Sequence, residues 1–181
     1  MVRYLSAAAV AALLAFPSAA DILPKYDAEH MFGQLVGEWR LEGRTLGSAG
    51  MTREVSNVVV TDAPNGLVTI DVDVLTGPTA DNTYSLSVED GFLIVNDEAG
   101  KRQQLELTRY DIMDGSWTYE AIGHDVTEDG QAYDVHIYQA FTGDTLQRRV
   151  EIRPAGSFEP YTLISDMMGY RASGEGRSTG F

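Results

Sequence analysis

Hydrophobic and polar residues alternate at every second position along most of this chain, which is typical of β-strands that bury one face. The clearest example is residues 67–76, where the valines at positions 68, 72 and 74 share a face with Ile70. Turn-forming Gly, Asn, Asp and Pro residues interrupt the alternation about every ten residues. We therefore expect about ten strands, which cover residues 38–46, 52–61, 67–76, 83–89, 92–96, 101–110, 116–124, 131–141, 145–153 and 161–171.

One short helix is expected before the first strand. Met31, Phe32 and Leu35 recur at the spacing of one helical face. Asp27 is placed to cap this helix and Gly37 to end it. Because no helix is long enough to join parallel strands, the strands should form an antiparallel up-and-down sheet. Such a sheet hides its edges by closing, so the sequence predicts an all-β barrel, with a two-sheet sandwich as the alternative.

Residues 1–20 have the order of a cleavable signal peptide. Arg3 supplies a positive start, an apolar stretch covers residues 7–16, and small residues precede a predicted cleavage after Ala20. The apolar stretch is about half as long as a membrane-spanning helix must be, which argues against a membrane anchor. The sequence therefore predicts a periplasmic or secreted protein.

Composition and charge restrict the partners of this protein. The formal net charge is −14, which disfavours nucleic acid and anionic membrane surfaces. The sequence contains no cysteine, so it can form neither a lipoprotein anchor nor a disulfide, and packing must stabilise the fold. We expect one domain over residues 21–181, without stable membrane anchoring and with a flexible tail from about residue 173. A protein partner is left open.

The sequence Gly37-Glu38-Trp39, between the expected helix and the first strand, resembles the calycin superfamily, which includes the lipocalins and the fatty-acid-binding proteins. Residues 142–146 are also similar to a hairpin of small exported bacterial lipocalin-like proteins. The resemblance implies a barrel closed at one end by Trp39, which would stack under an arginine from near the end of the chain. Arg171 is the candidate for that arginine, and the contact would be structural.

The sequence departs from two ligand-binding groups within or near this superfamily. Fatty-acid-binding proteins insert two helices between their first two strands, and the turn at residues 47–50 leaves no room for them. Haem-binding barrels use a histidine late in the chain, whereas no histidine follows His136. The acidic turn at residues 125–130 lacks the glutamate that completes a calcium-binding loop. We therefore expect no cofactor and no metal.

Arg148 is the most informative candidate for ligand binding, because it interrupts the apolar face of residues 146–152. An inward charge is costly unless it is paired, so Arg148 is a candidate anchor for an anionic group. A misjudged register or pairing with an interior acid would also explain it. Arg109, which follows the inward Leu107, is a weaker candidate. The aromatic residues expected to line the same interior, or simply to form its core, are Tyr84, Trp117, Tyr119, Tyr133 and Phe141.

The favoured hypothesis is an exported, non-enzymatic, lipocalin-like protein that binds a small, partly apolar ligand inside the barrel. One alternative is an interaction or accessory module of the cell envelope, which a large exposed apolar patch would favour. The other is a small enzyme at the barrel mouth, using Arg148 with Tyr119 or Tyr133. No hydrolase, phosphate-binding or dinucleotide motif supports a particular reaction, and no catalytic residue is assigned.

Overall fold

The computed structural model describes residues 23–63, 67–126 and 130–172. The predicted signal peptide, the predicted turn at residues 64–66, residues 127–129 of the predicted acidic turn and the predicted tail from residue 173 lie outside these ranges. A helix, α1 (Lys25–Gly33), precedes ten strands. The strands are β1 (Gly37–Gly47), β2 (Gly50–Asp62), β3 (Val68–Thr76), β4 (Asn82–Glu89), β5 (Phe92–Asp97), β6 (Arg102–Met113), β7 (Ser116–Val126), β8 (Ala132–Thr142), β9 (Thr145–Pro154) and β10 (Thr162–Arg171). No helix in the described part of the chain is long and apolar enough to cross a membrane.

The ten strands form one closed antiparallel barrel. Each strand pairs with the next along the chain, and β1 completes the barrel by pairing with β10. The prediction of an all-β antiparallel barrel with a short N-terminal helix is confirmed, and the sandwich is excluded. In this order the β2–β3, β4–β5, β6–β7 and β8–β9 connections lie at the same end as α1, and the other connections lie at the opposite end.

The end of the barrel that carries α1 is filled by side chains, and we call it the closed end. Ala28, Met31 and Phe32 of the helix are buried. The ring centroid of Phe32 lies 5.8 Å from that of Trp117, which in turn stacks on Phe141 at 5.5 Å. Burial of aromatic side chains contributes strongly to core stability, so packing of the helix contributes to closing this end of the barrel.

The boundaries predicted for α1 are wrong at both ends. The helix starts after Pro24, whose carbonyl oxygen accepts a hydrogen bond from the backbone N–H of Ala28, and it has no side-chain cap. Asp27 instead lies in the first turn, where a negative charge is favoured by the helix dipole. The helix ends at Gly33, and Gly37 starts β1 with a φ of 134°. A Cβ on Gly37 would lie 2.7 Å from Nη1 of Arg171, so glycine is needed for this close approach.

A β-bulge in β6 reverses the orientation expected for Arg109. The register against β7 shifts between Leu107 and Arg109, which inserts one extra residue. After the shift Tyr110 and Ile112 pack against the core, and Arg109 is exposed outside the barrel. The prediction that Arg109 faces inward is therefore wrong.

Candidate functional site

The barrel contains a cavity of about 540 Å³. It extends from Leu35 and Trp39, next to the closed end, to Thr79 and Ala80 in the β3–β4 connection. Because Thr79 and Ala80 are exposed, the cavity opens at this second end, which we call the open end. The volume lies within the range of about 300–1,000 Å³ that is usual for small-molecule sites.

A large part of the cavity wall near the closed end is apolar. Inward-facing side chains alternate with outward-facing ones along each strand, so a few positions of each strand line the interior. A ligand that entered this region would have to present a hydrocarbon or aromatic surface to it. The apolar residues lining this region are Leu35, Trp39, Val58, Val60, Ile70, Leu86 and Leu93.

A band of mostly polar residues crosses the wall of the cavity. Its members face one another across successive strand pairs, from β7 through β8, β9, β10 and β1 to β2. All of them except the glycine line the cavity. We call this band the polar row; its residues, in order around the wall, are Tyr119, Gln139, Arg148, Met167, Gly43 and Glu54.

Arg148 lies in the polar row, half-buried, and it lines the cavity as its position in the β9 alternation predicts. Among the described residues it has neither an ion pair nor a side-chain hydrogen bond. The register was therefore predicted correctly at Arg148, and this residue does not pair with an interior acid among the described residues. A guanidinium that faces a cavity in this way can bind a carboxylate, sulfonate or phosphate through parallel N–H donors.

Tyr119 and Gln139 form the adjoining part of the row. The Tyr119 hydroxyl donates a hydrogen bond of 3.1 Å to Oε1 of Gln139. Burial raises the pKa of Tyr119 well above its usual value, and the nearby positive charge of Arg148 only partly opposes this effect. The phenol therefore stays neutral even at alkaline pH, and its O–H remains available to donate to Gln139.

Glu54, at the far end of the polar row, was missed by the sequence analysis. It is buried, and its Oε2 accepts a hydrogen bond of 2.6 Å from the Thr79 hydroxyl in the β3–β4 connection. That connection passes close because Gly77, with a φ of 150°, has no side chain; a Cβ there would lie 2.5 Å from Cγ of Glu54. Alternation with Ser56 and Val58 places Glu54 on the inward face of β2, but the polar Ser56 beside it means that the local sequence does not single it out.

The aromatic residues expected in the interior divide into two groups. Tyr84 and Tyr119 line the cavity. Trp117 and Phe141 lie in the buried core of the closed end and do not reach the cavity. Tyr133 also lies outside the cavity lining: it is half-buried near the open end of β8, where desolvation, reinforced by a neighbouring carboxylate, raises its pKa. Of the residues considered for an enzyme at the barrel mouth, Arg148 and Tyr119 therefore line the same cavity, and Tyr133 does not.

Trp39 and Arg171 make the contact that the calycin resemblance implies. Cζ of Arg171 lies 4.4 Å from the centroid of the Trp39 ring. The guanidinium also donates hydrogen bonds to the carbonyl oxygens of Val36, at 2.9 Å, and Gln34, at 2.8 Å. The Trp39 indole N–H donates to the carbonyl oxygen of Leu35 at 2.7 Å. These contacts join the connection between α1 and β1 to the last strand, which is a structural role.

The histidines of β7 and β8 do not line the cavity. His124 contacts Asp134 at 2.8 Å, and His136 contacts Glu151 at 3.2 Å. Desolvation acts to raise the pKa of Asp134, but hydrogen bonds from Arg153 and His124 outweigh it and hold the pKa below its usual value. Within the described ranges, no group of three or more His, Asp and Glu residues is arranged to hold a metal ion.

Comparison with known proteins finds a match in fold. No protein-family model matches the chain, and no curated protein sequence matches it significantly. The solved structures similar to it include the crystal structure of Rv2717c from M. tuberculosis, with a TM-score of 0.59 and 17% sequence identity. That match covers 81% of this chain and 98% of the other. At this identity, the similarity shows a shared barrel fold and assigns no activity.

Proposed function

We propose that this protein is an exported, calycin-like barrel that binds a small, partly apolar ligand carrying an anionic group. The observation that carries the proposal is Arg148, a guanidinium that faces a cavity and has no ion pair among the described residues. The contact between Trp39 and Arg171 supports the calycin assignment, because the resemblance implies that pair.

The energetics of the cavity favour a ligand with two distinct parts. A charged group that is partly removed from water is costly unless an opposite charge and hydrogen bonds compensate for it. An anionic group bound to Arg148 would supply both, with Tyr119 and Gln139 close by as further hydrogen-bonding groups. The apolar region near the closed end would then hold the rest of the ligand, where burial contributes about 25 cal/mol for each Å².

Anilinonaphthalene sulfonate tests this proposal, because it combines an apolar aromatic body with one sulfonate and fluoresces when bound. We expect one site per protein in the wild type, and an affinity at least about tenfold weaker in Arg148→Leu. Arg109→Leu is the matched control: it removes the same charge from the outer surface, and we expect its affinity to stay within about twofold of wild type. Absence of binding, or equal losses in the two variants, would overturn the proposal.

We also propose that the protein works outside the cytoplasm. Residues 1–20 support this, because their charge, apolar stretch and small residues match a signal peptidase substrate. Fractionation of cells that express the full chain, followed by mass measurement of the purified protein, tests it. We expect the exported fraction to hold a chain that begins at Asp21. A cytoplasmic protein that retains Met1 would contradict the proposal.

A further inference from the structure

The cavity wall holds two opposite charges that do not pair. Arg148 and Glu54 belong to the same polar row, on β9 and β2, and both line the cavity. Neither takes part in an ion pair within the described part of the chain. Oε2 of Glu54 accepts a hydrogen bond from Thr79, which leaves Oε1 without a donor among the described residues. The cavity therefore offers one binding group of each sign.

Met167 and Gly43 explain why the two charges stay apart. They occupy the two positions of the row between Arg148 and Glu54, so the charged residues are three strand spacings apart, about 15 Å along the curved wall. A Cβ on Gly43 would lie 2.8 Å from the Met167 sulfur, which shows that this side chain lies directly over the glycine. Met167 is almost completely buried, so an apolar spacer separates the charges.

We propose that the ligand is a zwitterionic amphiphile, with an anionic group bound by Arg148 and a cationic nitrogen bound by Glu54. This inference rests on the proposed binding role and narrows it to one chemical class. One ligand with both charges would compensate both side chains at once, whereas a simple anion would leave the buried Glu54 without an opposite charge.

The arrangement of the cavity also orients such a ligand. The polar row runs obliquely along the wall, from Tyr119, whose ring centroid lies 5.9 Å from that of Phe32 at the closed end, to Glu54, which contacts Thr79 at the open end. Apart from Leu35, the apolar region lies on β1–β5, around and beyond the strand of Glu54, so the hydrocarbon part would contact those strands while the anionic group binds Arg148 on β9. Alkyl betaines, sulfobetaines and phosphocholines have this design, with both charges on one head group next to a single tail.

Titration calorimetry with three amphiphiles that share a dodecyl tail tests the charge preference of the wild-type protein. The probes are dodecanoate, dodecyltrimethylammonium and dodecyl sulfobetaine, each used below its critical micelle concentration. We expect the sulfobetaine to bind at least about tenfold more tightly than either singly charged probe. Because this comparison uses only the wild type, it does not depend on the folding of any variant.

Two matched substitutions then identify the groups responsible. Glu54→Gln keeps an acceptor for Thr79 and removes the charge; it should weaken sulfobetaine binding about tenfold and leave dodecanoate binding unchanged or stronger. Glu106→Gln removes an exposed carboxylate from the outer surface of β6 and should change neither affinity by more than about twofold. This control separates a local contact from the general attraction of cations to an acidic protein.

Two outcomes would overturn the zwitterion inference, and they have different consequences for the binding role. If dodecanoate binds as tightly as the sulfobetaine, and Glu54→Gln weakens neither, the inference is wrong but binding at Arg148 stands. If none of the three probes binds and anilinonaphthalene sulfonate also fails to bind, both proposals are wrong.

Discussion

Strand β10 passes so close to Gly43 of β1 that no side chain larger than hydrogen fits at this position. A Cβ at this position would lie 2.1 Å from the carbonyl oxygen of Asp166 and 2.8 Å from Cα of Met167. Both contacts are with backbone, which cannot move without shifting a strand. We therefore expect Gly43→Ala to lower the free energy of unfolding by about 1–3 kcal/mol, measured by urea denaturation, because it overpacks the β1–β10 pair.

Gly33→Ala is the matched control for this substitution. Gly33 is the last residue of α1, and beyond its chain neighbours and the backbone of its own helix a Cβ there would have no atom within 4 Å. Alanine favours the helical backbone over glycine by about 0.5–1 kcal/mol, so this variant should be as stable as the wild type or more stable. Equal losses in both variants would show that the cost comes from losing glycine flexibility rather than from the close approach of β10.

The charged residues of the cavity differ in how well the sequence predicts them. Arg148 stands out because apolar residues flank it on the same face of β9, at Leu146 and Val150. Glu54 lies nearer the end of its strand, where the inward neighbour Ser56 is also polar, so the local pattern gives no contrast. The charge of Glu54 becomes informative only when the register places it in the same row as Arg148.

At the scale of elements, alternation predicts strands well because it is a local property of each segment. The ends are less certain: the strand expected at residues 101–110 extends to Met113, and the one expected at 116–124 extends to Val126. Hydrogen bonds to the neighbouring strand, rather than local pattern, decide where a strand stops.

The bulge in β6 is a feature that strict two-residue alternation does not predict, although the spacing of the apolar residues indicates it. Inward residues occur at Leu105 and Leu107 and then at Tyr110 and Ile112, so the two-residue period gains one position between them. Reading the apolar residues on both sides of Thr108 would have revealed the change of phase. Extending the phase of Leu105 and Leu107 through Thr108 places Arg109 on the wrong face.

The sequence predicts the apolar face of the helix correctly but not its boundaries, for a related reason. Leu35 and Val36 continue the apolar spacing beyond the end of α1, yet they belong to the connection that leads into β1. Leu35 is buried because it lines the base of the cavity, not because it lies on a helix. The apolar spacing therefore extends the predicted helix past its true end.

At the scale of the whole molecule, the sequence predicts closure of the barrel but not its interior. Closure follows from the need to pair both edge strands, which is general for a long meander. The volume of the cavity inside the barrel depends jointly on the number of strands, on the shear and on the size of every inward-facing side chain. Small inward residues such as Gly43 and Gly169 let strands and neighbouring side chains approach closely, and this effect has no local signature.

Arg171 joins the start of the folded domain to its last strand, so it tests how the closed end is held together. Its guanidinium stacks on Trp39 and donates to two backbone carbonyl groups in the connection between α1 and β1. Lysine keeps the charge but loses the planar, bidentate geometry. We expect Arg171→Lys to lower the free energy of unfolding by about 1–3 kcal/mol, measured by urea denaturation followed through tryptophan fluorescence.

Arg102→Lys is the control for this change, because Arg102 makes an exposed ion pair with Glu89 at 2.7 Å. Exposed ion pairs contribute at most about 1 kcal/mol, and lysine can replace arginine in them, so this variant should unfold close to the wild type. If Arg171→Lys and Arg102→Lys have the same free energy of unfolding, the packing of α1 alone holds the closed end. A larger loss of unfolding free energy in Arg171→Lys would mean that this one side chain holds α1, β1 and β10 together. Closure of the barrel would then depend on contacts between the first and the last elements of the described fold.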